Sequence, residues 1–200
     1  MRKYFSKVVF AAMFAALLTL SASAATSTWQ IDPLHTAAAF TVKHMAISTV
    51  RGQFKNVTGT LILDESDITK STVSVTIDAT TVDTGEPKRD ADLKSDNFFD
   101  VTKFPTMAFK SKKVEQVSPG KLKVTGDLTL HGTTREVVLD VEGPTAAIKD
   151  PWGMQRSAAN VSTKINRQDF GVKWNKTLDN GGVVVSDEVN ITIDVEMTKK

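Results

Sequence analysis

From residue 38 to the C-terminus, apolar and polar side chains alternate with a period of two, segment after segment. Ala38, Phe40, Val42 and His44 alternate with Ala39, Thr41 and Lys43. Val73, Val75, Ile77 and Ala79 alternate with Ser74, Thr76, Asp78 and Thr80. Leu122, Val124, Gly126, Leu128 and Leu130 alternate with Lys121, Lys123, Thr125, Asp127 and Thr129. Val189, Ile191, Ile193, Val195 and Met197 alternate with Asn190, Thr192, Asp194 and Glu196. Successive side chains of a strand point to opposite faces, so each segment reads as a strand with one apolar and one polar face. Weaker alternation over 50–63, 107–114, 137–141 and 159–167 brings the total to about eight strands.

Turn chemistry separates these runs at Ser118-Pro119-Gly120, His131-Gly132-Thr133, Glu142-Gly143-Pro144 and Asn180-Gly181-Gly182. The short spacings predict antiparallel neighbours. One stretch, 86–95, predicts a short helix, with Pro87 near its start and acids in its first turn. No repeat or linker divides the chain, which makes residues 25–200 one all-β domain. Such strands must cover their apolar faces by stacking two sheets or by closing one into a barrel. Periodicity leaves both open. The inward sets are Val, Ile, Leu and Phe with occasional Gly, and no tryptophan comes from a strand centre. They favour a barrel with room inside, and eight strands are just enough to hold one ligand.

Residues 1–24 have the pattern of a cleaved secretory signal peptide. Arg2, Lys3 and Lys7 precede an apolar run from Val8 to Leu20 and the small-residue site Ala22-Ser23-Ala24. Cleavage leaves 176 residues (200 − 24) and changes the formal charge from +2 to −1 by removing three cations. The pI of about 8.7 therefore belongs to the precursor and does not imply nucleic-acid binding. An exported domain without any cysteine has to be held by packing and hydrogen bonds.

The chemical motifs are mostly negative. His35, His44 and His131 form no H-E-x-x-H or close pair, so no metal ligands, catalytic residues or cofactor are assigned. There is no G-x-S-x-G elbow, P-loop or dinucleotide fingerprint. Arg167 and Asp169 read as an ion pair closing one barrel end. Basic residues are dispersed without an aromatic platform, which argues against nucleic acid. What remains is a large apolar interior, read either as a ligand cavity or as a solid core.

Taken together, the motifs resemble the YceI-like family. "WQIDPLHTAAAFTVKHM" (29–45), "VRGQFKNVTGTL" (50–61), "TGEPKRDADLKSDNFFDVTKFPTMAFKS" (84–111), "VTGDLTLHGTTREVVLDV" (124–141) and "INRQDFGVKW" (165–174) follow its order and spacing. The resemblance implies an elongated, lipocalin-like, eight-stranded antiparallel barrel with one short helix. It further implies a periplasmic, non-enzymatic protein that binds a polyisoprenoid or similar amphiphile (a quinone-type isoprenoid or fatty-acid derivative). Transport, storage or a stress response, pairing as a homodimer and transient membrane contact belong to the same expectation. An enzyme acting on an isoprenoid lipid and a solid-cored interaction barrel are the rival readings.

The candidate ligand-lining residues are the inward sets Phe40, Val42 and His44; Phe54; Val75 and Ile77; Phe109; Leu128 and Leu130; Leu139; Ile165; Ile191 and Ile193. Four of the ten phenylalanines crowd into 95–111 beside Asp96, Asp100, Lys103 and Lys110. There Phe98 or Phe99, with Phe104, is expected to plug or line one mouth. An extended Phe98-Phe99 pair cannot point inward at both positions. His35, His44, Arg89, Asp90, Arg167 and Asn175 are the candidates for contact with a polar head group at the mouth.

Overall fold

A computed structural model describes residues 26–200; the leader assigned to 1–24 lies outside the described residues. The alternating segments form strands β1 (Thr26–Ile31), β2 (Ala37–His44), β3 (Ser48–Phe54), β4 (Val57–Asp64), β5 (Thr72–Asp78) and β6 (Thr106–Ser118). They continue as β7 (Lys121–Leu130), β8 (Thr133–Glu142), β9 (Ile148–Lys149), β10 (Gln155–Asn166) and β11 (Val185–Lys199). Every pairing is antiparallel. Eight of the strands close on themselves in the order β11-β1-β4-β5-β6-β7-β8-β10 and back to β11. The expected all-β, eight-stranded antiparallel barrel is therefore present.

Its extra length comes from strands used in succession. β11 pairs its first part with β2 (Val185↔His44 to Asp194↔Ala37) and its last residues with β1 (Met197↔Ile31 to Lys199↔Trp29). Thus β1 and β2 share one wall position, and β4 and β3 share the next. The run over 50–63 is two strands rather than one, because Lys55-Asn56 interrupts it and Asn56 adopts φ 56°. β1 escaped the period-two reading because Ser27, Trp29 and Ile31 form a weak inward set among polar neighbours. Trp29 does stand at a strand centre, buried, with Nε1 donating to Ser27 Oγ at 3.0 Å.

Where β5 ends at Asp78, the segment 79–105 takes over the wall beside β3, joined to it by the Gln53↔Asp83 bridge. This segment carries α1 (Pro87–Lys94). Glu86 caps the helix by accepting the Lys88 N–H at 3.0 Å, and the Ser95 N–H returns to the Asp92 carbonyl. The expected helix over 86–95 is thus present, with caps that are legible in its sequence.

Inside, β6 and β7 run so close that Gly126 has no room for a side chain. A Cβ there would press on the Lys110 carbonyl and lie 2.6 Å from the Phe109 ring. Gly126→Ala is expected to lose about 1–3 kcal/mol of stability through overpacking, measured as a lower midpoint in urea unfolding; an unchanged midpoint would contradict this tight register.

Candidate ligand-binding cavity

The inward side chains do not fill the barrel. They pack into three clusters, one around Ile31, Phe54, Val57, Phe98, Met107, Phe170 and Val172, a second around Phe109, Val114, Leu122 and Val124, and a third of Trp29, Ala159 and Met197. Val75, Leu128 and Val137 touch the first two and form the waist between them. A cavity of about 270 Å³ runs along this interior. Its wall is apolar apart from Ser71, Thr72, Thr163 and Arg167. Backbone polar groups are consumed by the ladders, so alternation alone produces a dry lumen with a wet exterior.

The end nearest the helix is closed by aromatic rings. Phe40 and Phe54 lie 5.5 Å apart between centroids, Phe54 meets Phe99 edge-on at 5.2 Å, and Phe98 lies 5.2 Å from Trp174. Both Phe98 and Phe99 reach the cavity wall, contrary to the either-or expectation. Residues 96–99 form a turn, not an extended strand, and so escape the alternation rule.

Among the described residues Arg167 is the one charged group of the wall, and it is only 5 % exposed. Its expected partner, Asp169, is exposed and unconnected to it. Its donors go instead to backbone carbonyls: Nη1 to Val172 (2.7 Å) and Trp174 (2.9 Å), Nε to Ser186 (3.0 Å), Nη2 to Val185 (3.4 Å). Asp187 accepts from Nη2 at 3.3 Å. Burial lowers the guanidinium's pKa, and the charge of Asp187 opposes that shift. The residue ties the 172–187 segment across the barrel end. Arg167→Met is expected to cost roughly 3–5 kcal/mol, because several carbonyls lose their donor together, and a thermal shift assay would show it.

The remaining sequence-derived candidates sort cleanly. All named lining residues face the cavity except His44 and Phe104. His44 has the inward parity but sits at the last position of β2, paired with Val185 and Ser48, and is not among the residues that line the cavity. Phe104 turns outward from the cavity, its ring 4.7 Å from His131 and over Gly132. Arg89 and Asp90 both bind Thr84 and secure the start of the helix. Asn175 bonds the backbone of Val185, and His35 bonds Asp32; neither lines the cavity. The sequence reading missed Val57, Leu61 and Leu63, because the parity of the inward face flips from even to odd at the Lys55-Asn56 break.

Sequence reasoning also missed an ionic node on the outer flank. Glu196 alternates with Val195 and Met197, which line the cavity, and so points outward. Arg156 gathers Asp32, Asp150 and Glu196 around its guanidinium. Asp32, His35 and Glu196 have the donor set of a metal site, but the Arg156 cation already sits on both carboxylates. Burial raises the pKa of Asp32, yet hydrogen bonds with His35, Arg156 and the Leu34 N–H outweigh it and hold the value at about 2. A depressed carboxyl stabilises the fold above its unfolded pKa and loses that contribution as pH falls through the folded value. Acid unfolding between pH 3.8 and about 2 should therefore include loss of this node. Asp32→Asn should flatten the stability-against-pH curve in that window, as read by denaturant midpoints at each pH.

The family model for the YceI-like domain matches residues 29–197. The chain belongs to the YceI-like family. Protein YceI of Shigella flexneri is 36% identical over 185 residues, 92% of this chain and 93% of the relative. The crystal structure of the Campylobacter jejuni YceI protein is similar with a TM-score of 0.67 at 33% identity, covering 79% of this chain and 90% of that one. A polyisoprenoid binding domain from Saccharophagus degradans, implicated in plant cell wall breakdown, shares the fold with a TM-score of 0.61 at 14% identity. That likeness covers 86% of this chain and 98% of the domain.

Proposed function

We propose that this YceI-like barrel is a periplasmic lipid-binding protein. It holds the chain of a polyisoprenoid or similar amphiphile inside the barrel for transport, storage or stress response. The carrying observation is the apolar cavity that runs through the waist at Val75, Leu128 and Val137. The binding of polyisoprenoids by the Saccharophagus domain supports the ligand class, and the leader supports export. Binding is favoured over turnover because, among the described residues, no carboxylate, imidazole or lysine belongs to the wall, and general acid–base chemistry needs such a group within reach of the substrate.

The size of the lumen sets how the chain is held. An apolar cavity of about 150 Å³ takes up benzene, so this one has room, as it stands, for roughly ten carbons. A longer chain displaces side chains, and Met107 and Met197 in the wall are the most adaptable of them. Transfer from water yields about 0.8 kcal/mol per CH₂. A bilayer offers the same environment, so exchange between membrane and barrel is close to neutral and reversible.

Leu128→Trp tests the reading by filling the waist. The variant is expected to fold and to bind a fluorescent long-chain lipid at least tenfold more weakly than the parent in a titration. Equal affinity in both proteins would remove the lumen as the site.

A further inference from the structure

Two tight turns on the outer flank share one construction. Asp32-Pro33-Leu34-His35 joins β1 to β2, and Asp150-Pro151-Trp152-Gly153 joins β9 to β10. In each, the aspartate Oδ1 accepts the backbone N–H two residues on: Leu34 at 3.0 Å, Trp152 at 2.9 Å. In each, Oδ2 accepts from the same guanidinium, Arg156 Nη1 to Asp32 at 2.9 Å and Arg156 Nε to Asp150 at 2.8 Å. The following proline fixes φ in both turns. What this ionic clamp holds in place is two large apolar side chains in water: Leu34 is 88% exposed and Trp152 83%. Ile148 and Met154, on either side of Trp152, are exposed as well.

A single exposed leucine is ordinary, whereas a leucine and a tryptophan presented by two turns braced on one guanidinium are two apolar tips on a rigid base. We infer that Leu34 and Trp152 are a two-pronged docking element that inserts into the interfacial layer of a lipid bilayer. The prongs stand at the tips of turns, a convex shape suited to entering a fluid phase. Tryptophan partitions to the level of lipid headgroups, and Lys149 beside Ile148 is an exposed cation that can reach the phosphates. The loop bearing Trp152 begins at Gly143-Pro144, and Pro144 lines the cavity, so the element is continuous with the barrel wall. The node itself has three carboxylates to one guanidinium. Docking is accordingly driven by apolar insertion, with little need for anionic lipid. This inference rests on the proposed function for its logic, because a bilayer is where a long-chain cargo resides.

The test uses the exported protein with vesicles of phosphatidylcholine alone and of phosphatidylcholine mixed with phosphatidylglycerol. The protein is expected to sediment with both, at low and at raised salt. Emission from Trp152 should shift to shorter wavelength, against a constant background from buried Trp29 and half-buried Trp174. Leu34→Ser/Trp152→Ser should reduce vesicle binding at least tenfold while its unfolding curve matches the parent's, since neither side chain packs in the fold. Unchanged binding by the double variant, or an unshifted Trp152 emission in the parent, overturns the proposal. So does concentration-dependent self-association that the double variant abolishes without any vesicle binding, which would assign the prongs to a second copy. Leu128→Trp separates the two claims: it should keep vesicle binding while losing the lipid probe.

Discussion

Closure of the ladder by β11 is the interaction on which the rest of this protein depends. The strand pairs with β10 over eleven residues, from Arg156↔Thr198 to Asn166↔Glu188, and its other edge serves β2 and β1 in turn. Without that double pairing the sheet would be open, with two free edges and an apolar face lacking a partner. With it, inward residues from all sides meet one another. The opposite seam is far weaker. β8 pairs with β10 only from Glu142↔Asn160 to Asp140↔Ser162, after which the Thr163 hydroxyl donates to the Val138 carbonyl at 2.8 Å in place of ladder bonds.

A closed ring of strands with large side chains at its ends leaves its middle unfilled, and the cavity follows from that geometry. Aromatic rings on β2, β3 and the 96–99 turn close one end. Arg167 fastens the same end chiefly by satisfying backbone carbonyls, with the half-exposed Asp187 as its carboxylate partner. A charge placed there serves order more than net stability, because desolvation offsets much of its Coulombic gain. The Arg156 node does comparable work on the outer flank, where it joins two strands and two turns.

The legible part of this fold is what period two and turn chemistry control. Strands β5, β7 and the core of β11, the hairpin turns at Pro119-Gly120 and His131-Gly132, and the capped helix were all readable. The illegible part is where local rules break. Asn56 at positive φ flips the inward parity and hid Leu61 and Leu63. A turn turned an apparent either-or at Phe98 and Phe99 into two wall residues. Parity put His44 among the lining residues, but it does not tell which side chain at a strand end reaches the lumen. The Arg156 node could not be found, since two of its three carboxylates lie 124 and 40 residues away along the chain.

Native mass spectrometry of the protein purified gently from a bacterial host addresses the central claim most directly. The account predicts a bound lipid at one per chain, lost on organic extraction and absent from Leu128→Trp. A chain that flies bare, or an adduct equally present in the filled variant, would contradict it.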